Sequence, residues 1–291
     1  MQASIIVPSY NSLSTIERCL NALQQQRTDF SYEVIVVDSS DDGTGEFIES
    51  RFPAVKLIRL CRRTLPGLAR NLGIEKAAGK VLVFTDSDCV PEPSWLDKMI
   101  REQEKGEYSV IGGSVLNGLP LNPVAWSGYL LEFSESLPSS PRRFVQLIPT
   151  CNVSIQRSVF YRHGLFPTDV WPMEDGIFCM RLSRAGEKLL FEPSIRVRHI
   201  FRPHLGAFLR HQIRLGKASA EARRRKQIAQ AWLADHPLRW LGPGIRLFRL
   251  ETRLLRQSIP TFLGFNLLLP LCFGGLVAWG IGFCAPTNSE S

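Results

Sequence analysis

The sequence lacks any closely spaced pair of cysteines. Its seven cysteines are an odd number, and they are scattered between residues 19 and 284. A zinc site needs ligands at short spacing, and a disulfide framework usually has an even number of cysteines. We therefore expect reduced thiols, as in a cytosolic setting. The first apolar run, residues 4–7, is too short for a secretory signal peptide.

Acidic residues are scarce in one part of the chain. Residues 196–257 contain 15 Lys or Arg and only 3 Asp or Glu, whereas the net charge of the whole chain is +8. The basic character is therefore local. A local excess of this kind predicts a surface that meets phosphates, either in lipid headgroups or in nucleic acid.

Charge is absent altogether from residues 259–284. These 26 residues are rich in Leu, Phe, Gly and Val and include no Asp, Glu, Lys or Arg. Because about 20 apolar residues span a bilayer core, we expect a transmembrane helix here. A buried core helix is the alternative, since Pro260 and Pro270 could divide the run into shorter pieces.

The basic region before this run mixes arginines with large apolar residues. Over residues 201–257 the arginines alternate with leucines and with Trp232 and Trp240. This pattern predicts an amphipathic segment in a membrane interface, with a solvated helix as the alternative. The other flank, residues 285–291, has a single charged residue, Glu290. The positive-inside rule then predicts a cytoplasmic membrane protein with its N-terminal domain on the cytoplasmic side and a single-pass C-terminal anchor.

Strands and helices alternate through the first hundred residues. Short apolar runs occur at residues 4–7, 33–38, 55–60 and 81–84, with helical stretches between them. This alternation predicts an α/β fold with a doubly wound, mainly parallel sheet. The turns at residues 8–11, 38–42 and 86–88 then lie along one edge, where open α/β sheets bind ligands.

Two carboxylates follow the most apolar of these strands. Asp86 and Asp88 come directly after it, with Ser87 between them. Two close carboxylates either repel each other or share a cation, and oxygen ligands suit Mg²⁺ or Mn²⁺ bound together with phosphates. A helix cap is the alternative, because Asp and Ser also favour helix starts.

A second carboxylate pair, Glu174 and Asp175, begins a predicted helix that ends near Gly186. The helix dipole alone favours acidic residues at this position, and this is the structural alternative to a catalytic role.

Five motifs in order resemble family 2 glycosyltransferases of the GT-A fold. They lie at residues 5–11, 36–44, 67–73, 84–88 and 174–175. The resemblance covers about residues 3–200. It implies a GT-A glycosyltransferase domain over 1–200, with a donor half at 1–110 and an acceptor half at 111–200. The basic region 201–257 and the apolar run 259–284 follow this domain.

The resemblance implies that a nucleotide diphosphate sugar, with a UDP-sugar as the first expectation, binds at the earlier motifs. Asp38 would accept a hydrogen bond from the base, and Arg70 would lie close to the donor phosphates. Asp41 is an alternative to Asp42, because this turn is one residue shorter than in many relatives. The donor-binding set is Pro8, Tyr10, Asn11, Asp38, Asp42, Arg70, Asp86 and Ser87.

The same resemblance implies the chemistry. The metal ligands would be Asp88, Asp86 and His199, holding Mn²⁺ or Mg²⁺ that offsets charge on the leaving diphosphate. Asp175 would be the general base that takes the proton of the acceptor hydroxyl, so that the anomeric carbon is inverted. Glu174 would orient the acceptor. Asn152 and Trp171 are implied at the acceptor site.

The expected acceptor is a hydroxyl of a lipid-linked or cell-envelope glycan, with membrane lipids as further partners and no nucleic acid. Residues 211–216 echo only part of the Gln-x-x-Arg-Trp motif of processive synthases, so repeated sugar addition is not expected. A nucleotidyltransferase is disfavoured because residues 8–11 form no Gly-rich, basic loop. A nucleic-acid-binding protein and an inactive membrane scaffold with a transferase fold are the remaining alternatives.

Overall fold

The chain, described here by a computed structural model over residues 1–228 and 230–285, divides into two compact units. Unit 1 consists of Met1–Gly118 and Pro141–Ile200, and unit 2 consists of Leu119–Ser140 and the chain from Phe201 onward. Unit 1 thus ends at residue 200. Residues 119–140, however, group with the C-terminal unit and not with the rest of the predicted acceptor half. The C-terminal flank, residues 285–291, was used to predict the membrane orientation. From residue 286 onward it lies outside the described residues.

Unit 1 is built on one sheet. In the described residues it has nine strands in the order β3-β2-β1-β4-β8-β6-β9-β5, with β7 paired to β9. The strands are β1 Ala3–Ser9, β2 Tyr32–Asp38, β3 Lys56–Arg59, β4 Val81–Phe84, β5 Cys89–Pro91, β6 Val110–Asn117, β7 Arg143–Val145, β8 Val153–Gln156 and β9 Leu189–His199. Strands β1 to β4 are parallel as predicted, whereas β8 runs antiparallel to both β4 and β6. The sheet is therefore mixed in its second half.

Helices cover this sheet and make up unit 2. In chain order they are α1 Ile16–Gln24, α2 Thr44–Arg51, α3 Pro66–Lys76, α4 Trp95–Glu104, α5 Pro123–Phe133, α6 Arg157–His163, α7 Glu174–Arg184, α8 Leu205–Arg224, α9 Gly242–Gln257, α10 Ile259–Leu267 and α11 Leu269–Cys284. Helix α1 illustrates the amphipathic pattern, since its buried residues Ile16, Cys19, Leu20 and Leu23 are spaced by one helical turn.

A cluster of aromatic rings fixes the end of β4 to the segment before α7. Phe166 lies 5.4 Å from Phe84 and 4.5 Å from Phe178, measured between ring centroids. Rings at these distances attract each other beyond the area they bury. The cluster therefore positions the turn after β4 and the start of α7 close to each other.

Asn152 closes a junction in the middle of the sheet. It is fully buried, accepts a hydrogen bond from Trp95 Nε1 at 2.8 Å, and donates to the carbonyls of Ser114 and Ile195 at 2.8 and 3.1 Å. The side-chain amide thus connects α4, β6 and β9. Residues 150–152 form a short 3-10 turn that leads into β8.

Unit 2 is helical, and its helices α8 and α11 approach closely at glycines. A Cβ atom on Gly216 would lie 2.0 Å from the carbonyl oxygen of Trp279, and one on Gly282 would lie 2.0 Å from that of Ile213. Any larger side chain at either position would push the two backbones apart. The contact between α8 and α11 therefore depends on both glycines.

Residues 259–284 do not form the single continuous helix that the sequence predicts. The run forms α10 and α11, which are bent by 78° at a break around Leu268. Within the described part of the chain, no single helix is long and apolar enough to cross a membrane, although this bent pair passes that test jointly. Pro270 lies in the first turn of α11, where the backbone N–H has no partner within the helix. A proline, which lacks this N–H, therefore favours the start of a new helix at this position.

We expect Asn152→Ala to lower the free energy of unfolding by about 3 kcal/mol, because it leaves one donor and two acceptors buried without partners. Denaturant unfolding of the purified protein measures this change. Asn21→Ala is the matched control, since Asn21 is exposed on α1 and its replacement should change stability by a few tenths of a kcal/mol. A loss below about 1 kcal/mol for Asn152→Ala would exclude a framework role for this amide.

Candidate functional site

The turns after β1, β2 and β4 are joined by side-chain hydrogen bonds at one edge of the sheet. The backbone N–H of Asn11 donates to Ser40 Oγ at 2.8 Å, and Ser12 Oγ lies 2.7 Å from Ser87 Oγ. The structure therefore brings together the three turns that the sequence predicts at this edge. Ser12 is a contact that sequence reasoning missed.

The two aspartates of the second turn hold it in shape. Asp38 is buried and accepts from Ser40 Oγ at 2.6 Å. Asp42 Oδ2 accepts from the N–H of Leu13 at 3.2 Å, and Asp42 Oδ1 accepts from the N–H of Thr44 at 3.1 Å. Burial alone would raise the pKa of Asp42, but these hydrogen bonds outweigh burial and lower it. Asp42 is thus ionised and anchors the first turn of α2.

Tyr10 offers a flat surface at the same edge. Its side chain is 38% exposed, and the guanidinium of Arg63 lies 4.8 Å from the centre of its ring. Pro8 is buried within β1. A partly exposed ring flanked by a cation can stack on a planar ligand that carries negative charge. Arg63 was not among the predicted residues, and only the structure places it here.

Arg70 is buried between two carboxylates. Its Nη2 atom lies 2.8 Å from Asp86 Oδ1, and its Nη1 atom lies 2.7 Å from Glu174 Oε1. Burial alone would lower the pKa of Arg70, but Asp86 and Glu174 outweigh burial and raise it. Both terminal nitrogens are thus engaged by protein carboxylates. The predicted contact of Arg70 with donor phosphates stays a prediction, and these contacts do not support it.

Helix α3 reaches this position because of two neighbours of Arg70. A Cβ atom on Gly67 would lie 2.0 Å from the carbonyl oxygen of Pro167, so only glycine allows the approach. Asn71 donates to the carbonyl of Phe166 at 2.9 Å and accepts from its N–H at 3.0 Å. Asn71 therefore fixes the segment that leads into α7. Asn71 lies within the motif at residues 67–73, but the sequence alone assigns it no role.

Glu174 and Asp175 differ in their surroundings. Glu174 is buried, and its Oε2 accepts from the N–H of Met173 at 3.1 Å while Oε1 faces Arg70. Asp175 is half-buried and accepts from the N–H of Gly176 at 2.7 Å. Glu174 is therefore occupied as a partner of Arg70, and Asp175 is the carboxylate of the pair with free capacity to accept.

The pKa of Asp175 is raised to about 6. Burial is the largest cause and the negative charge of Glu174 adds to it, whereas Arg70 and the N–H of Gly176 oppose them. A carboxylate with this pKa is largely ionised at neutral pH and still takes up a proton readily. These are the properties of a general base.

Asp88, Cys89 and His199 form a group that could hold a metal ion. Strands β5 and β9 are antiparallel and place Cys89 opposite His199. Asp88 Oδ1 lies 3.5 Å from His199 Nε2, and the three potential ligand atoms lie within 4.8 Å of one another. Burial raises the pKa of Cys89 well above its usual value, so its thiol is neutral. The carboxylate suits Mn²⁺ or Mg²⁺ with remaining positions for phosphate, and the imidazole nitrogen favours Mn²⁺ over Mg²⁺.

The other predicted residues lie apart from this group. Asp86 faces Arg70, with 29% of its side chain exposed, and the group within 4.8 Å does not include it. Every hydrogen-bonding atom of Asn152 is directed at the framework, so its acceptor-binding role has no support in the geometry. Trp171 is half-buried and lies three residues before Glu174, ahead of α7. Its acceptor-binding role stays a prediction.

Comparisons with known proteins give a consistent family. Residues 4–166 match the family model described as Glycosyl transferase family 2. Glycosyltransferase AglE of Haloferax volcanii is 30% identical over 241 residues, which are 80% of this chain and 74% of AglE.

Two solved structures share the fold. Mannosyltransferase PcManGT from Pyrobaculum calidifontis, in complex with GDP-Man and Mn²⁺, aligns with a TM-score of 0.63 at 21% identity over 96% of this chain and 86% of that chain. GalNAc-T7 with UDP, GalNAc and Mn²⁺ aligns with a TM-score of 0.54 at 19% identity over 69% of this chain and 43% of that chain. The fold is thus a mixed α/β fold of the GT-A type.

We expect Asp175→Asn to stabilise the protein at pH 7 by up to about 3 kcal/mol, because the folded state raises the pKa of this carboxyl to about 6. Below pH 4 the carboxyl is protonated in both states, so the difference should vanish there. It should grow as pH rises from about 4 to about 6. Denaturant unfolding at several pH values measures it.

Asp29→Asn is the control, because Asp29 is exposed. The assigned pKa direction is wrong if Asp175→Asn is less stable than the parent at pH 7 and equally stable at pH 4.

Proposed function

Because the chain belongs to glycosyl transferase family 2 and is a glycosyltransferase, we propose that it transfers a sugar from a nucleotide diphosphate sugar to a hydroxyl acceptor. We further propose that the transfer depends on a divalent cation and inverts the anomeric carbon. The observation that carries this proposal is the position of Arg70 between Asp86 and Glu174. One buried side chain thereby connects the donor turn with the helix that presents Asp175.

The donor nucleotide lies across the turns after β1, β2 and β4 in this proposal. The exposed ring of Tyr10 stacks on the base, and buried Asp38 accepts from a base N–H. PcManGT is in complex with GDP-Man and GalNAc-T7 is with UDP, so these neighbours bind nucleotides with different bases. A UDP-sugar is the first donor to test, and a GDP-sugar is the second.

Asp88 and His199 hold the cation in this proposal. Both structural neighbours contain Mn²⁺, which favours Mn²⁺ or Mg²⁺ here. When bound, the cation offsets the charge that develops on the leaving diphosphate. Asp86, which lies 2.8 Å from Arg70 Nη2, accepts hydrogen bonds from the donor.

Asp175 performs the proton transfer. Its carboxylate takes the proton from the acceptor hydroxyl while that oxygen forms a bond to the anomeric carbon and the bond to the diphosphate oxygen breaks. Attack from the face opposite the leaving group gives inversion. No carboxylic acid is needed to protonate the leaving group, because the diphosphate leaves as an anion.

The acceptor in this proposal is a lipid-linked or cell-envelope glycan, and the protein works at a membrane surface. The apolar pair α10 and α11 and the arginines of α9 support this placement. The charge-free run favours a lipid surface over nucleic acid as the phosphate-bearing partner.

The proposal is tested with a panel of UDP- and GDP-sugars in the presence of Mn²⁺, Mg²⁺ or EDTA, with and without lipid extract. We expect release of the nucleoside diphosphate from one donor only, dependent on the metal and increased by the lipid extract. If the nucleoside diphosphate is released as fast in EDTA as with Mn²⁺ or Mg²⁺, the proposed metal dependence is contradicted. Release from no donor, by protein that still unfolds cooperatively, contradicts the transferase assignment.

Two aspartate variants separate donor binding from transfer. We expect Asp88→Asn to weaken Mn²⁺-dependent nucleotide binding at least tenfold, because it removes the charged cation ligand. Asp175→Asn should leave nucleotide binding within about twofold and lower transfer at least a hundredfold, the usual range for loss of a general base. Titration calorimetry and product release measure the two effects, with Asp29→Asn as the control. An Asp175→Asn protein that transfers at the parent rate would falsify the base assignment.

A further inference from the structure

Helix α9 exposes an apolar stripe. Ile245, Phe248 and Leu255 are spaced by three or seven residues and therefore lie on one face of the helix, and the cap residue Leu241 precedes Phe248 by seven residues. They are 39 to 67% exposed, with Phe248 the most exposed of the four. The opposite face is buried through Leu250 and Leu254. The stripe is thus a large apolar surface outside the core of unit 2.

The next two helices continue this exposure. Leu263 and Leu267 on α10 are 58% and 85% exposed. On α11, Phe273, Val277 and Ile281 follow one another at a spacing of four residues and are 42 to 60% exposed. Three consecutive helices therefore present large apolar side chains. Soluble monomers rarely expose so many in sequence without a partner for them.

Basic residues border the stripe on α9. Arg249 and Arg256 are exposed and seven residues apart, so they lie on one side of the stripe. Within the described residues neither forms an ion pair with a carboxylate, and residues 236–285 contain a single acidic residue, Glu251. Burial, aided by repulsion from Arg249, lowers the pKa of Arg223. Arg249 is therefore close to Arg223, whereas Arg253 on the same helix is paired with Glu135.

Exposed indoles lie beside the same helix. Trp232 and Trp240, in the segment between α8 and α9, are each 64% exposed. Tryptophan is enriched where apolar and polar phases meet, because its ring is apolar and its N–H needs a polar partner. The apolar stripe, the arginines beside it and the two indoles match the acyl chains, the phosphates and the boundary between them in a lipid interface.

We propose that α9, α10 and α11 dock on an anionic phospholipid bilayer and are seated in one leaflet without crossing it. The inference rests on the proposal that the protein works at a membrane. The lipid acyl chains contact the exposed apolar side chains, and the lipid phosphates meet Arg249 and Arg256. A second copy of this chain fits less well, because a symmetric contact would bring the same arginines against one another.

The packing of α11 argues against a crossing. Its buried face lies along α8 through Gly216 and Gly282, so α11 can cross a bilayer only if α8 enters with it or the contact breaks. Helix α8 carries six charged residues, Arg210, Arg214, Lys217, Glu221, Arg223 and Arg224, and such a helix is excluded from the hydrocarbon core. With 16 residues, α11 is also about 24 Å long, shorter than a core of about 30 Å.

The test uses the full chain in flotation with vesicles of pure phosphatidylcholine or of phosphatidylcholine with 30 mole percent phosphatidylglycerol, a composition of about the usual anionic content. Neither sugar donor nor metal is present, so the outcome is independent of the proposed catalysis. We expect at least tenfold tighter binding to the anionic vesicles. Phe248→Glu should weaken binding at least tenfold, and Arg249→Glu with Arg256→Glu should abolish the preference for anionic lipid.

Matched controls lie in unit 1. Tyr161→Glu replaces an aromatic side chain that is 79% exposed, and Arg51→Glu reverses a charge on a side chain that is 65% exposed. Both should bind like the parent. Leu255→Gln repeats the stripe test with a milder change, and circular dichroism checks that each variant is folded. Equal binding by parent and Phe248→Glu, or a parent that floats with neither vesicle and instead dimerises through the stripe, overturns the proposal.

A C-terminal epitope tag distinguishes seating from crossing. The protein is bound to the outside of sealed vesicles, and protease is then added. The protease should remove the tag, because a chain seated in one leaflet keeps its C-terminus on the outer side. A tag that resists protease until detergent opens the vesicles would show a crossing and overturn the one-leaflet arrangement.

Discussion

The buried guanidinium of Arg70 is the interaction on which the site depends. Asp86 belongs to the turn after β4 and Glu174 to the first turn of α7, and Arg70 pairs with both. Buried charges are stable only when paired, and leaving one without its partner costs about 3 to 5 kcal/mol. Because the two carboxylates compensate the same cation, loss of Arg70 would leave both of them without this partner at once.

The charge of Arg70 also acts on the neighbouring Asp175. Arg70 pairs directly with Asp86 and Glu174. It also opposes the rise in the pKa of Asp175 that burial and the charge of Glu174 cause. The candidate metal-binding group depends instead on the sheet, since the pairing of β5 with β9 places Asp88 beside His199.

The sequence was informative where its patterns are local. The strands of the first half, the turns at their ends and the pairs Asp86/Asp88 and Glu174/Asp175 follow from apolar periodicity and position. Strand β9 escaped prediction because Pro193 and the charged Arg196 and Arg198 interrupt its apolar pattern, although β6 pairs along much of its length. Arg70 and Glu174 are 104 residues apart, and no local pattern reveals such a contact.

Two other predictions fell short because composition does not specify geometry. Asn152 has the residue type of a ligand-binding amide, but it is buried and its side chain connects β6 with β9 by hydrogen bonds. The run over residues 259–284 has the composition of one membrane span, but hydropathy carries no information about a bend at Leu268. In both cases tertiary packing, which depends on distant residues, determined the outcome.

The glycine contact between α8 and α11 has a practical consequence for shortening this protein. Removal of an apolar C-terminal run is a common way to obtain a water-soluble enzyme, and here a cut before residue 259 would delete α11. The facing side of α8 would then lose its cover, including Gly216 and the ring of Phe208 that packs where Gly275 leaves room. The fragment would exchange an exposed apolar surface for an exposed interior groove, and it would aggregate instead of becoming soluble.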